Sequence, residues 1–263
     1  MRSDRLVAAT ALVTMALLVA QVEAADQQFS PLELALACAP PPFAYAPTAA
    51  LHVLGGQDPV PRTLFSQPDL LVIDAGTGNG VRLGQQYFAR RPAVLGSGYL
   101  SAGAQSGHTA GWIRIVAADE TTALATVEYT CDAVEQGDYL EPFVPPLLPP
   151  GVDRDDTSGR TDFTSAGRVL SGDRQRVSAG GGDFMLIDRG ANQGVTPGDR
   201  FAIYRDPRAR SAMYVQSPKG RPQPLAGVGE AIAVTTGPML SLVRITTARD
   251  AVLSGDIIVP RRK

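Results

Sequence analysis

The amino-acid sequence predicts an all-β protein made of two tandem, homologous, small β-barrel-like domains of five or six strands each. Three observations predict it: one pattern occurs twice, apolar and polar residues alternate at a period of two almost throughout, and glycines punctuate the alternating runs. The first copy reads DLLVIDAGTGNGVRLGQQYFARR from Asp69 to Arg91, and the second DFMLIDRGANQGVTPGDRFAIYR from Asp183 to Arg205. They share Asp69/Asp183, Ile73/Ile187, Asp74/Asp188, Gly76/Gly190, Gly80/Gly194, Val81/Val195, Gly84/Gly198 and Arg91/Arg205. After a loop four residues longer in the second copy, GWIRIVAADETTALATVEYTCDAVEQGDYLEP (Gly111–Pro142) lies over GEAIAVTTGPMLSLVRITTARDAVLSGDIIVP (Gly229–Pro260). Loop insertions of that size cost little, so a tandem duplication is the expected origin.

In chain order, residues 1–25 read as a signal peptide. Arg2 and Arg5 precede an uncharged apolar stretch, Leu6 to Ala20, and small residues follow at Val22-Glu23-Ala24-Ala25. The apolar core is about 15 residues, short of the roughly 20 that span a bilayer. Residues 26–50 form a proline-rich N-terminal segment with CAPPPFAYAP at Cys38 to Pro47. Within it, SPLELALA is the one mature stretch with a helical period, about two turns long. A lipobox ending at Cys38 is disfavoured by Ala35 and Glu33.

Residues 51–142 form barrel repeat 1 and residues 163–263 barrel repeat 2. The expected strands include LLVID and FMLID, QYFARR and RFAIYR, WIRIVAA and EAIAVTT, LATVEYT and LVRITTA. Between the repeats lies a linker, 143–162, proline-rich and semi-rigid at first, then acidic and flexible. The structural turns carry Asp74, Gly76, Gly80 and Gly84 in one repeat and Asp188, Gly190, Gly194 and Gly198 in the other. The first glycine should end a strand, the second take positive φ, and the third open the next strand. The aspartates should accept N–H groups within the turn, and Val81 and Val195 should plug the loop onto the core.

A formal charge of −2 with scattered charges offers no field for nucleic acid, and 6% aromatic residues supply a stacking platform poorly. Cys38 and Cys131 are the only cysteines, and in an exported chain they should pair. DAGTGNG resembles a cofactor loop, but VRLGQQYFARRPA follows it in place of a helix, and no acidic residue occurs between Asp74 and Asp119. DRGANQGVTPGD lacks a calcium ligand at its third position. His52 and His108 read as surface residues; Asp119-Glu120 reads as a hairpin turn and Asp153, Asp155 and Asp156 as linker. No catalytic, cofactor-binding or metal-ligating residue is therefore assigned. The long loop from Asp206 to Gly227 concentrates Arg208, Arg210, Tyr214, Lys219 and Arg221, the expected candidate binding loop.

The D-x-G-x-x-x-G-V-x-x-G-D turn followed by VGEAIAVTTGPMLSLVRITTARDAVLSGD resembles the β-rich domains that accompany LysM modules in bacterial periplasmic proteins. It is similar, more loosely, to the small β-barrels of the MreC cell-shape family and to the C-terminal domain of flagellar outer-ring proteins. The resemblance implies a non-enzymatic scaffold or binding protein of the periplasm or outer envelope, without cofactor, whose partner is an envelope protein or peptidoglycan. Neither a LysM module nor an MreC-type coiled coil is found, so glycan binding and filament assembly do not carry over. A small-ligand-binding barrel, which would show an apolar cavity inside a barrel, or a periplasmic hydrolase are the alternatives.

Overall fold

A computed structural model describes residues 29–42, 51–94, 105–207 and 224–262. The expected signal peptide and the candidate loop residues Arg208, Arg210, Tyr214, Lys219 and Arg221 lie outside them. The helical stretch is α1, Pro31–Cys38. Ser30 caps it: its hydroxyl accepts from the Glu33 amide, while the Glu33 carboxylate accepts the Ser30 amide at 2.7 Å.

The first set of strands is β1 (Leu51–Gly56), β2 (Leu64–Phe65), β3 (Leu70–Ile73), β4 (Gln86–Val94), β5 (Gln105–Ala118), β6 (Ala123–Thr130), β7 (Val134–Glu135) and β8 (Tyr139–Pro142). Six of them close into a barrel in the order β1-β3-β6-β5-β4-β8, with β8 pairing back onto β1. Closure removes the free edges that an open sheet would leave for aggregation. β2 and β7 form a separate two-residue ladder that carries Phe65 and Val134 into the core.

The second set is β9 (Arg160–Thr161), β10 (Gly167–Arg168), β11 (Ser178–Ala179), β12 (Phe184–Ile187), β13 (Arg200–Arg205), β14 (Ala226–Thr236), β15 (Ser241–Ala248), β16 (Val252–Leu253) and β17 (Ile257–Arg262). Its main sheet runs β10-β17-β13-β14-β15-β12, with β9 added beside β17 and β11 paired to β16. A bridge from Val169, just after β10, to Ile187 of β12 joins the two ends.

Alternation decides the cores. Val53, Leu71, Ile73, Ile113, Ile115 and Val127 fill the first interior, and Met185, Ile187, Phe201, Ile203, Val243 and Ile245 fill the second. Bulges recur in register: between Ile115 and Ala117 of β5 and between Ala233 and Thr235 of β14. Others place Ala110 of β5 as the extra residue opposite Ala89/Arg90 of β4, and Val228 of β14 opposite Ile203/Tyr204 of β13. An extra residue at such a point increases local twist, which a small barrel needs in order to curve shut.

The glycine turns behave as single-turn 3₁₀ segments, Thr77–Asn79 and Ala191–Gln193, closed by Gly80 (φ 84°) and Gly194 (φ 77°). Gly76 and Gly190 are needed for a different reason: a Cβ there would stand 2.3 Å from the Asp119 carbonyl and 2.5 Å from the Gly237 carbonyl. Val81 and Val195 are buried in the two cores. The aspartates differ from expectation. Asp74 Oδ1 accepts the His52 amide and Asp188 Oδ1 the Arg168 amide, each at 2.6 Å. Each carboxylate therefore ties an earlier strand, β1 or β10, to the strand that ends in the turn, instead of serving the turn itself.

The linker is anchored around the end of its prolines. Leu148 and Val152 pack against the second sheet. Arg200 donates to the carbonyls of Arg154 and Gly151, and Arg244 to that of Val152 at 2.8 Å. Its backbone carbonyls find guanidinium partners, which holds a stretch with few side-chain anchors in place.

Candidate functional site

The most organised region outside the barrel interiors is the junction between the two sheets, and it is built around α1. One face of this short helix carries Leu32, Leu36 and, at its end, Ala39 onto Leu170, Leu186, Ile232, Val234, Leu240 and Leu242 of the second half. The other carries Leu34, Ala37 and Cys38 onto an aromatic surface of the first. There Trp112 stacks on Tyr129 with ring centroids 4.4 Å apart, Phe88 meets Phe143 at 4.6 Å, and Phe29 closes edge-on over Trp112. A disulfide joins Cys38 to Cys131, Cα atoms 5.5 Å apart, and pins the end of α1 beside β6.

The Pro40–Pro42 segment then threads between the barrels. Ser106 and Thr109 of β5 donate hydroxyl hydrogens to the carbonyls of Pro41 and Ala39, each at 3.3 Å. Gly107 and Gly237 make the passage possible. A Cβ at the first would lie 2.6 Å from the Pro41 ring, and at the second 2.0 Å from the Pro42 carbonyl.

His108 is the main correction to the sequence reading. It lies in β5, is only 8% exposed, and sits in the junction instead of on the surface. Its Nδ1 is 3.3 Å from Asp173 of the second half and its Nε2 is 3.3 Å from Asp132 of the first. Arg174 completes the cluster, donating to the Cys131 carbonyl at 3.2 Å and standing 3.3 Å from Asp132. Nδ1 is within hydrogen-bond reach of Asp173, whereas Nε2 faces Asp132 without hydrogen-bond geometry. With both ring nitrogens facing carboxylates, neither is aimed at a hydroxyl, and the Ser106 hydroxyl is occupied by Pro41. The arrangement is that of a clamp, not of a nucleophile with its base. His108→Ala should cost about 0.5–1.5 kcal/mol, the net worth of an ordinary hydrogen bond, because the Asp132 and Asp173 carboxylates keep contact with water. It should also split urea unfolding into two transitions; one transition at the wild-type midpoint would disprove the clamp.

Beside the clamp, an apolar cavity of about 610 Å³ is roofed by Pro145–Pro149 and floored by Phe88, Val234 and Leu242. At its wall the Arg90 guanidinium lies 4.4 Å over the Phe88 ring and pairs with Glu141. Burial pushes the Arg90 guanidinium below its ordinary pKa, against the pull of Glu141. This cavity lies outside the two strand sets, whose inward faces are filled by packed side chains.

The other sequence candidates fall elsewhere. Asp119 caps the β5–β6 hairpin, accepting the Thr121 and Thr122 amides at 2.8 and 2.7 Å. His52, exposed, pairs with Asp74 at 3.1 Å. Among the described residues no group of three or more His, Cys, Asp or Glu is placed to hold a metal ion. Gly107 and Gly237, and the closeness of His108 to Asp173, were missed because they matter only through contacts between the two halves.

The amide bond from Thr122 holds Asp119 below the ordinary carboxylate range, and the bonds from Thr164 and Ser66 do the same for Asp162 and Asp69. Their contribution to stability is present above the ordinary range near 4 and is lost as pH falls through the lowered values. Asp138 is opposite: burial raises it, so its contribution is complete below the ordinary range and fades as pH rises through the raised value. Acid unfolding should therefore begin below about pH 4, and Asp119→Asn should flatten that limb when Tm is followed against pH. An unchanged acid limb in the variant would refute the assignment.

Neither a scan against family models nor a search of curated proteins finds a match to this chain. No helix among the described residues is long and apolar enough to cross a membrane.

Proposed function

We propose that the chain is an exported, non-enzymatic envelope protein that works by binding, a two-barrel scaffold module that arose by tandem duplication. The observation that carries this reading is the junction. A disulfide, a helix packed on both barrels and the His108 clamp join two small domains into a platform of fixed geometry. Covalent pinning of that kind suits an oxidising, extracytoplasmic compartment. The duplication is supported by the matching strand order, bulges and glycine turns of the two halves. Protein assembly leads over peptidoglycan association, since among the described residues Trp112 and Tyr129 are stacked on each other beneath α1 and do not present a platform for sugars.

Lysine-reactive cross-linking and co-purification from intact envelopes, alongside a sacculus pull-down, test the reading. A discrete protein partner is the expected result. Retention on sacculi alone would move the assignment to peptidoglycan, and neither would sink it. A second reading, capture of a small apolar ligand, is favoured only by the junction cavity. Saturable uptake of an apolar fluorescent probe that is abolished by Val234→Arg, with the fold intact, would establish it.

A further inference from the structure

The two barrels present corresponding outer faces that are covered differently. On the second, Leu170, Phe184, Leu186, Val234 and Leu242 point away from the interior and are roofed by Leu36 and Ala39 of the α1 segment and by Leu148 and Val152 of the linker. Leu186, Val234 and Leu242 are 0, 3 and 2% exposed as a result. Strand register puts Leu54, Leu70, Val72, Val116 and Leu124 at the matching places on the first. Val72 pairs with Leu124 as Leu186 pairs with Leu242. Val116 occupies the same bulge of β5 as Val234 does in β14. Leu54 follows Val53, which pairs with Ile73, as Leu170 follows Val169, which bridges Ile187. Yet Leu54, Leu70 and Val116 are 47, 40 and 41% exposed.

We propose that this outer face of the first barrel is the docking site for an apolar, leucine-bearing segment of a partner protein. That segment seats there as α1 and the linker seat on the second barrel. The proposal rests on the reading of the protein as a binding module and names the surface it uses. The molecule itself supplies the precedent for the occupant: the same strands, bulges and apolar outward residues are completed, on the other barrel, by a short helix with leucines one turn apart and an extended apolar stretch. That is the helix-in-groove mode of recognition, in which a few apolar anchors carry the contact.

A second copy of this chain fits the face poorly. Its α1 is tied by the disulfide and already spent on its own second barrel. The second-barrel positions that match Phe88 and Trp112 are Ala202 and Glu230, and Glu230 is held in a 2.7 Å ion pair with Arg261. A head-to-tail contact would lay that ion pair against leucines, with a desolvation penalty and no new partner.

Photo-cross-linking in intact cells, with a benzophenone side chain placed at position 54, 70 or 116 and at the exposed turn position 82 as control, tests the inference. The expected result is an adduct from the first three positions alone, whose partner-side peptide is an apolar, leucine-rich segment. The triple variant Leu54→Glu, Leu70→Glu, Val116→Glu should keep its far-UV spectrum and lose co-purification of that partner by more than tenfold. No adduct at the three positions, a polar partner peptide, an adduct of two copies of this chain, or undiminished co-purification would each overturn it. Should lysine-reactive cross-linking still find a partner while these positions stay silent, the docking face fails and the binding function stands.

Discussion

Replacing Cys38 and Cys131 together by Ser is expected to lower the unfolding free energy by about 2–5 kcal/mol. The bridge spans 93 residues, so its absence returns a long loop to the unfolded chain. The native state loses more than a crosslink. α1 has eight residues, too few to persist as an isolated helix in water, and the bridge holds its end beside β6 while it packs on both halves. Its release uncovers the Trp112–Tyr129–Phe143 surface on one side and the Leu186–Val234–Leu242 surface on the other. Urea unfolding followed by the emission of Trp112, the single tryptophan, reads both consequences. The midpoint should fall, and the native baseline should shift to the red as the ring meets water. An unchanged midpoint and baseline in the double variant would mean that α1 holds its place by packing alone.

Asp256→Ala should cost about 3–5 kcal/mol, as is typical when one member of a buried ion pair is removed. Asp256 is 4% exposed and accepts two bonds from Arg205, at 2.9 Å from Nε and 2.7 Å from Nη2, together with the Leu253 amide at 2.8 Å. Arginine keeps its charge whatever happens to its partner, and Asp250, 2.7 Å from Nη1, with the Ala251 carbonyl still holds Arg205, so the loss should lie toward the low end of that range. Asp256→Asn keeps an acceptor for the Leu253 amide and should lose clearly less. The first barrel repeats the device: Arg91 donates to Asp138 at 3.1 Å, and Asp138 accepts the Glu135 amide at 2.8 Å. Asp138→Ala should therefore be destabilising in the same way. A loss below about 1 kcal/mol for Asp256→Ala, measured by urea denaturation, would place the pair among ordinary surface bridges.

Much of this architecture is legible without coordinates, because the signals that encode it are local. Alternation over Ala123–Thr130 puts every second side chain on one side of a strand, whichever partner the strand finds. Gly80 and Gly194 announce a positive φ by their identity and spacing. Two cysteines leave one intramolecular pairing. What a single strand cannot announce is which of its outward residues will be covered. Leu54 and Leu170 are the same residue type at matched positions in matched strands, yet one is 47% and the other 8% exposed. Only the path of α1 and the linker distinguishes them.

The same limit explains the misreadings. His108 sits in an ordinary-looking Gly-His-Thr-Ala stretch, and its partners are a residue beside the disulfide and one on a turn of the second half, 65 positions away. Asp74 and Asp188 read as turn residues by their neighbours, but the amides they accept belong to a strand some twenty residues earlier. The linker's acidic, glycine-bearing composition suggests mobility, while the arginines that hold its carbonyls come from β13 and β15.

By itself, then, the sequence determined the strands, their inward faces, the glycine turns and the single disulfide, since each depends on backbone preference or on chemistry carried within a few residues. The tertiary structure alone decided the closure of the first barrel, the burial of His108 between two carboxylates, and the unequal covering of two matching faces. Those are properties of contacts between distant segments, and contact free energy is set by what surface each segment removes from water, which no local pattern records.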